Sequence, residues 1–550
     1  MGNNNKFGAC VALIAAFWTA ATFAAVGEPN YVVFSIMGPQ TLGPVNVNGI
    51  VQPESVWDSI ERTSVEEIRK AFGEQHAGQQ RYVGFSVSLT PTLNLQPDQL
   101  KAQVVRALDL AERNNIPVFL HLDDQHFWWA NPALSRNSEM VEWSDFPKPG
   151  ESHGPVVPRY WLNWGDPAAV YPASPPCFAC PAFRTAISKR LKECVAEPIA
   201  LRLQRWREQR KDYLFAGVAS GNETQVPDFS GGYDGYAGKP GEAAGSDMTQ
   251  NPPVKVRMSR EDMVPIGYHS LYAMGYSRQS IERLAQAQHT SVNRIVQDLL
   301  FKVAHDYAEV QAKTLWQSGL PKERIYTHFT STNHSLKVYR DRLKESEDRS
   351  RAGSGNLSPP VESSVNPYSR PGFTVVRSAV DLNELVAQLR KAHAPETGKT
   401  WAVVESYACT GQPGISQTEK QYEEYLGGLV AHGAKVVNVY GWNINDPPNN
   451  PYSVKHSGVI PAVKKWLSGE RLPSTWFCSG EVGQMTAIHS KLPKLQQAAR
   501  DLVGRGGDPR RISAVLDSFQ SEFEPLVKAG KLSEAVAAID RAIARLEAQR

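Results

Sequence analysis

Residues 82 to 122 hold a strand, a helix and a second strand. Residues 82–89 read YVGFSVSL, residues 99–114 read QLKAQVVRALDLAERN, and residues 117–122 read PVFLHL. The first and third runs are short, apolar and rich in β-branched and aromatic residues, which is typical of buried strands. The middle run repeats its apolar residues at helical spacing. Two strands with a helix between them predict the repeating unit of a parallel sheet.

The same alternation continues along most of the chain, and it predicts an α/β fold. Further helical patterns cover Ser291–Ser318, Leu382–Ala392 and Glu419–His432. Six more strand-like runs bring the total to eight: Tyr31–Gly38, Tyr213–Ser220, Arg324–Thr330, Phe373–Ser378, Trp401–Ser406 and Lys435–Trp442. Eight such units predict a (β/α)8 TIM barrel over residues 28–470. A doubly wound open sheet is the alternative, but no glycine-rich phosphate loop follows an early strand.

Three long insertions follow the third, fourth and fifth predicted strands. They are Ala130–Pro181, Thr224–Met263 and Asn333–Pro371. All three therefore leave the carboxyl ends of strands, which is the face where barrel enzymes build their active sites. We expect them to form large loops around a site at that face.

The two ends of the chain lie outside the predicted barrel. Residues 1–25 combine Lys6, an apolar run from Ala9 to Trp18 and the small residues TAATFAA, which predicts a cleaved signal peptide and a secreted or periplasmic protein. The run is shorter than the roughly 20 residues of a membrane span, and an uncleaved anchor is the alternative. Residues 484–550 are helical in pattern and predict a hairpin or small bundle. A partner-binding repeat module is less favoured there, and the pattern identifies no protein partner.

Composition and charge exclude several classes of protein. Hydrophobic residues make up 41% of the chain and charged residues 21%, which excludes a wholly disordered, collagen-like or coiled-coil protein. The 59 basic residues nearly balance 56 acidic ones and are scattered along the chain, so no nucleic-acid partner is predicted. After the signal peptide, no segment predicts a membrane span.

Five cysteines remain after the predicted cleavage. Cys177, Cys180 and Cys194 lie in and just after a proline-rich loop, while Cys409 and Cys478 stand apart. In an exported protein this grouping predicts a disulfide that staples the loop, although the pairing stays open. A structural zinc is the alternative, but no fourth ligand is obvious nearby. No cofactor is expected.

A carboxylate stands at the end of each of two strands. The fourth predicted strand ends in Ser220-Gly-Asn222-Glu223, and Glu405 follows four apolar residues in the seventh strand. A buried carboxylate is costly unless it has partners or chemical work. Two opposed carboxylates suit glycoside cleavage, in which one protonates the leaving oxygen and the other attacks the sugar carbon.

These placements resemble clan A of the retaining glycoside hydrolases over Tyr31 to Leu467. The resemblance implies that Glu223 is the acid/base, that Glu405 is the nucleophile and that Asn222 contacts the sugar 2-hydroxyl. It also implies a sugar-binding Trp442 after the eighth strand. The clan often places a tyrosine on the sixth strand, where this chain has none. The residues proposed to take its place are Tyr326, His328 and Tyr407.

Aromatic and polar residues gather after the third strand, where residues 121–129 read HLDDQHFWW. Indole rings stack on sugar faces and polar groups bind the hydroxyl rims. The residues expected to bind the sugar in this way are Asp123, Asp124, His126, Trp128, Trp129 and, further along, Trp161. A metal held by Asp123, Asp124 and His126 is less favoured because no further ligand is obvious.

The sequence therefore predicts an exported glycoside hydrolase that acts on an oligo- or polysaccharide by retaining double displacement. A transglycosylase would use the same two carboxylates. A non-catalytic carbohydrate-binding barrel, and a metal-dependent hydrolase centred on Asp123, Asp124, His126 and His328, are the other readings. The sugar and its linkage stay open.

Overall fold

The structure is a computed structural model, and it describes most of the chain. The described residues are 28–36, 54–124, 128–157, 161–163, 166–171, 173–226, 243–247, 254–258, 265–330, 359–375, 382–392, 400–407, 418–442, 454–473, 481–528 and 531–548. The predicted signal peptide therefore lies outside them, as do Cys409 and Cys478.

Eight parallel strands form a nearly closed barrel. They are β1 (Asn30–Ile36), β2 (Arg81–Leu89), β3 (Val118–Leu122), β4 (Phe215–Ser220), β5 (Ile325–Thr327 and Phe329–Thr330), β6 (Gly372–Val375), β7 (Trp401–Tyr407) and β8 (Ala434–Tyr440). Neighbours in the chain are neighbours in the sheet, and β8 pairs in parallel with β1 to close the ring. The (β/α)8 prediction is confirmed.

The fifth strand is interrupted at His328. Its first segment pairs with β4, where Thr327 lies opposite Ser220, and its second segment pairs with β6, where Phe329 lies opposite Phe373. The first segment also pairs, through Tyr326, with Arg370 just before β6, so His328 lies between two paired segments of one strand. The main-chain oxygen of His328 accepts a hydrogen bond from the Thr224 N–H at 3.0 Å. This bond joins His328 to the turn after β4.

Helices alternate with the strands. The first and third long helices each include a π-helical segment, Glu61–Val65 and Leu191–Ala196. The α-helices are Glu54–Ile60, Glu66–Phe72, Pro97–Asn114, Pro132–Ser135, Pro181–Arg190, Glu197–Glu208, Tyr268–Ala273, Arg278–Ala287, Val292–Gln317, Leu382–Ala392, Glu419–Ala431 and Val459–Leu467, followed by Glu481–Gly504, Pro509–Lys528 and Leu532–Glu547.

Local sequence signals set the ends of these helices. Before Pro97–Asn114, the Gln96 N–H donates to the Gln99 side chain, and Pro97 occupies a first-turn position that needs no N–H donor. The helix stops at Asn115, whose φ of 53° is left-handed. The buried face of the helix, with Val104 and Leu108, packs into the main apolar core that surrounds the barrel.

Two of the insertions build a second, smaller sheet. It contains Trp161–Asn163 and Asp166–Tyr171 from the insertion after β3, and Ala243–Asp247 and Val254–Met258 from the insertion after β4. Ala169 pairs with Ser246 and joins the two halves. The sequence predicts loops here because each strand is short and lies among glycine and proline. Pairing between distant segments therefore decides the structure.

Cys177 and Cys180 are joined by a disulfide, while Cys194 is a buried free thiol. The bridge closes the loop immediately before the helix that starts at Pro181.

The last three helices have an apolar core of their own. Leu495, Ile539 and Leu546 are among its buried members, and none of its residues belongs to the core that surrounds the barrel. No helix in the described part of the chain combines the length and apolar composition needed to cross a bilayer.

Candidate active site

Glu223 and Glu405 come together at the carboxyl end of the barrel. A carboxylate oxygen of each, and a ring nitrogen of His328, all lie within 4.8 Å of one another. Glu405 belongs to β7, and Glu223 lies three residues beyond β4. Both carboxylates are half-buried, whereas His328 is fully buried. The two residues that the sequence singled out are thus neighbours, although β4 and β7 are not adjacent strands.

A sharp turn after β4 holds Glu223 in place. Gly221 and Glu223 both have positive φ, +86° and 48°, and the second value is uncommon for a residue with a side chain. A Cβ on Gly221 would lie 2.3 Å from the Thr224 hydroxyl oxygen. The Glu223 N–H points to Nδ1 of His328 at 3.4 Å. Asn222, between these two residues, is buried.

Glu405 lies opposite Thr374 of β6 in the strand register. Burial, together with the negative charge of Glu405, raises the pKa of Tyr440 to about 12. The phenol of Tyr440 therefore stays protonated at ordinary pH and lies within the field of Glu405. The sequence analysis did not assign Tyr440 to the site, although this residue stands two positions before the expected Trp442.

A chain of hydrogen bonds crosses the barrel beneath the two carboxylates. Nδ1 of His121 lies 3.4 Å from the Ser88 hydroxyl, and its Nε2 lies 3.0 Å from Nδ1 of His328. Nε2 of His328 lies 2.8 Å from the Thr374 hydroxyl. Both ring nitrogens of His328 therefore have hydrogen-bond partners. The chain ties together four strands of the barrel.

His328 is held in its neutral form. Burial first, and the neighbouring His121 second, keep the pKa of His328 well below its usual value, although the charge of Asp123 opposes them. Glu223, His328 and Glu405 are close enough to hold a metal ion. However, both ring nitrogens of His328 are already used by hydrogen bonds, so the group fits carboxylate chemistry better.

Asp124 does not face a ligand, contrary to the expectation from sequence. Its side chain is 1% exposed and accepts a hydrogen bond from Gln311 at 2.5 Å. Burial raises the pKa of Asp124 to about 6. Asp124 therefore joins the end of β3 to the helix Val292–Gln317. Asp123 is also largely buried, but its charge acts on His328 and places it beside the site.

Trp128 and Trp442 are core residues, which corrects their expected role as sugar platforms. Trp128 is fully buried and meets Phe183 edge to face. Trp442 is 2% exposed, and its ring centroid lies 5.1 Å from that of Phe34. The indole N–H of Trp442 donates to Glu67 on the helix Glu66–Phe72 at 3.3 Å. Neither ring offers a free face to a sugar.

Tyr326 lies deeper in the barrel than His328, so it does not replace the missing tyrosine beside the nucleophile. Its ring packs against Phe119 at a centroid distance of 6.0 Å. Burial raises the pKa of its phenol, and the positive charges of Arg370 and Arg324 oppose the rise. These partners place Tyr326 among charged residues away from the carboxylate pair.

The side chains of four predicted site residues lie outside the described part of the structure. His126 lies outside the described residues. The backbones of Trp129, Trp161 and Tyr407 are described, but their side chains are not. Their roles in substrate binding stay predictions.

No protein-family model matches the chain, and no curated protein matches it in sequence. Three similar solved structures come from bacteria. The β-galactosidase from Bacillus circulans sp. alkalophilus is 10% identical with a TM-score of 0.41, over 84% of this chain and 63% of that one. The catalytic domain of β-amylase from Paenibacillus polymyxa is 10% identical with a TM-score of 0.42, over 81% and 100%. The family 1 β-glucosidase from Thermotoga maritima is 10% identical with a TM-score of 0.36, over 80% and 97%. At these identities and TM-scores, the likenesses carry no conclusion about the chemistry of this chain.

Proposed function

We propose that the chain is an exported glycoside hydrolase that cleaves O-glycosidic bonds with retention of configuration. The observation that carries the proposal is the pair of carboxylates, whose nearest oxygens lie within 4.8 Å at the carboxyl end of the nearly closed barrel. Retaining enzymes hold their two carboxyl groups about 5–5.5 Å apart, and inverting enzymes hold them roughly 6.5–9.5 Å apart to admit a water. Oxygens within 4.8 Å of each other are compatible with the retaining separation, which is the basis of this part of the proposal.

In the first step, Glu405 attacks the anomeric carbon and Glu223 gives its proton to the leaving oxygen. The bond to the leaving group breaks as the bond from the Glu405 carboxylate forms, which leaves a glycosyl-enzyme. Glu405 suits the role of nucleophile because it belongs to a strand of the barrel wall. The protonated phenol of Tyr440 is a hydrogen-bond donor close to its charge.

In the second step, water replaces the leaving group. Glu223, now ionised, takes a proton from this water as it attacks the sugar carbon, and the ester to Glu405 breaks. The turn after β4 keeps Glu223 in one position for both steps through the contacts of its backbone with His328. We assign Asn222 to the sugar 2-hydroxyl, and Asp123, His126, Trp129, Trp161 and Tyr407 to further contacts with the saccharide.

A purely carbohydrate-binding barrel fits the site less well. Two carboxylates at this distance repel each other when both are ionised, and this repulsion would be a cost without a benefit in a site that only binds sugar. That arrangement suits an acid and a nucleophile, while binding alone does not need it. A transglycosylase would use the same pair, with a sugar acceptor in place of water.

Variants of the two carboxylates test the proposal on a panel of aryl glycosides. Glu405→Ala should abolish turnover, because no glycosyl-enzyme can form. Glu223→Ala should keep activity only on substrates whose leaving group needs no proton, and azide should raise that rate and yield a glycosyl azide of retained configuration. Azide rescue of Glu405→Ala should give the inverted product.

Glu74→Ala is the matched control, because this carboxylate lies 66% exposed in the loop before β2. It should behave as the unchanged protein. A reversed azide pattern would exchange the two roles, and full activity of both site variants would remove the pair from catalysis.

For export, we expect the mature protein to begin after Ala24 or Ala25, and mass spectrometry of the secreted or periplasmic fraction checks the cleavage.

A further inference from the structure

A second cluster of potential ligands lies outside the carboxylate site. The sulfurs of Cys177 and Cys180 and a ring nitrogen of His269 all lie within 4.8 Å of one another, and all three residues are buried. The cysteines end the insertion after β3, while His269 belongs to the helix Tyr268–Ala273 that follows the insertion after β4. The third ligand is therefore distant in sequence, which is why the cysteine spacing alone did not reveal it.

His269 is oriented as a ligand would be. Its Nδ1 lies 2.7 Å from the main-chain oxygen of Val141, to which Nδ1–H donates. The lone pair of the neutral ring is then on Nε2. The indole of Trp143 stacks on the imidazole with a centroid distance of 3.8 Å and an interplanar angle of 3°. Metal-binding histidines are commonly fixed in this way, by a hydrogen bond from the ring nitrogen that does not bind the metal.

The groups around the two cysteine sulfurs leave these sulfurs able to bind a metal once the disulfide is reduced. The Ser270 hydroxyl donates to Glu142, and its oxygen accepts the Ala179 N–H at 3.3 Å. That oxygen lies 3.5 Å from the Cys177 sulfur, so in a reduced pair it can accept a weak hydrogen bond from the thiol. No lysine or arginine is needed to balance the site, since Zn²⁺ with two thiolates and a neutral imidazole has no net charge and suits a buried place.

We propose that the reduced Cys177–Cys180 pair and His269 form a binding site for one zinc ion, so that the disulfide and the metal are alternative states of the same cluster. Two electrons and two protons from a thiol reductant open the S–S bond and give two thiols. Zinc then displaces both thiol protons and takes the His269 ring nitrogen as its third ligand. Three protein ligands leave the fourth tetrahedral position for an exchangeable ligand.

The two states would connect different parts of the molecule. The disulfide joins residues three positions apart and so closes only a small loop. Zinc would add His269 and would join the insertion after β3 to the segment that follows the insertion after β4. His269 follows the insertion that begins directly after Glu223 in the chain, so zinc would restrain the far end of that insertion.

The unchanged protein provides the first test, because its oxidised form is the control for its reduced form. The protein is first reduced in the absence of oxygen, and the new thiols in a sample of it are counted by alkylation and mass spectrometry. The reduced protein is then dialysed against cobalt or zinc, and unbound metal is removed. We expect about one metal per chain in the reduced form and less than about a tenth of that in the oxidised form. Cobalt should show thiolate charge-transfer absorption in the near ultraviolet, which oxygen and nitrogen ligands at the carboxylate site would not give. Equal metal content in the two forms would overturn the proposal.

Variants then test the ligand set. Cys180→Ser and His269→Ala should each lower the affinity of the reduced protein for zinc by at least about 10- to 100-fold. Cys194→Ser is the matched control, since Cys194 is a buried thiol in a different apolar cluster, and it should bind as the unchanged protein does. Retained affinity in Cys180→Ser would overturn the site, whatever the stability of the other variants.

Discussion

His328 is the residue that links the two halves of the candidate site. Its ring and its main-chain oxygen both contact the turn that carries Glu223, and its Nε2 reaches Thr374, which lies opposite Glu405. Because His328 is buried and neutral, its contribution is one of position and not of charge. A ring that lies below both carboxylates can fix their separation without taking part in proton transfer.

Replacing His328 should therefore lower activity through geometry. We expect His328→Ala to reduce kcat/KM by about 10²-fold, as a displacement of roughly 1 Å in a reacting group does. His328→Gln should recover much of this loss, because its amide can accept from Glu223 N–H and donate to Thr374. The measurement is kcat/KM against pH for both variants. Loss of one limb of the pH profile in His328→Gln would instead show that the imidazole transfers a proton.

Asp124 should make the stability of the fold depend on pH. Burial raises its pKa in the folded state to about 6, above the unfolded value of about 3.9. The folded state therefore holds the extra proton between these values, and the free energy of unfolding should fall as pH rises from about 4 to about 6, by at most roughly 3 kcal/mol. Urea unfolding at several pH values should show this fall in the unchanged protein but not in Asp124→Asn. Parallel curves for the two proteins would contradict the prediction.

The turn after β4 is the element on which the site depends most. Gly221 combines a φ of +86° with a close approach to Thr224, so only glycine fits there without strain. We expect Gly221→Ala to destabilise the protein by about 2–4 kcal/mol, through the positive φ and the clash together, and to reduce activity.

Gly78 is a matched control for this prediction. It has the same φ of +86°, but a Cβ added there would meet nothing within 4 Å. Gly78→Ala should cost only about 1 kcal/mol and leave activity unchanged. Urea unfolding and activity measurements of both variants separate the clash from the backbone strain. Equal losses in the two variants would show that the contact with Thr224 has no effect.

At the scale of elements, apolar periodicity predicts the barrel well. The helices expected at residues 99–114, 382–392 and 419–432 are observed as Pro97–Asn114, Leu382–Ala392 and Glu419–Ala431. The break in β5 at His328 is not visible in the sequence, because it depends on the hydrogen bonds that the strand makes with its neighbours in the sheet. The small sheet of the two insertions escapes prediction for the same reason.

The site divides in a similar way. Residues placed by a strand end are predictable, as Glu223 and Glu405 show, because the barrel topology brings strand ends to one face. The direction of a side chain that lies beyond the strand end is not predictable in this way. Trp128, Asp124 and Trp442 are buried against Phe183, Gln311 and Phe34, respectively. Those contacts depend on the packing of helices and loops that sequence patterns do not locate.

At the scale of the whole molecule, the chain has two separate apolar cores. The core of the last three helices shares no residue with the core that surrounds the barrel. A chain ending at residue 480 should therefore keep the thermal midpoint of the barrel within about 2 °C and keep its activity. Calorimetry of both lengths checks this, and a large drop in the midpoint would show that the helices support the barrel.

The closure of the barrel has a consequence for biosynthesis. β1 is complete at residue 36, yet one of its two neighbours is β8, which ends at residue 440. At about 5–20 residues per second, a ribosome needs roughly 20–80 s to make the chain between them. Throughout that interval β1 lies at an unpaired edge of the nascent sheet, and the barrel is incomplete. A polypeptide that stays open until its last strand emerges is in the state that threading through a secretion channel requires, as the export proposed here demands.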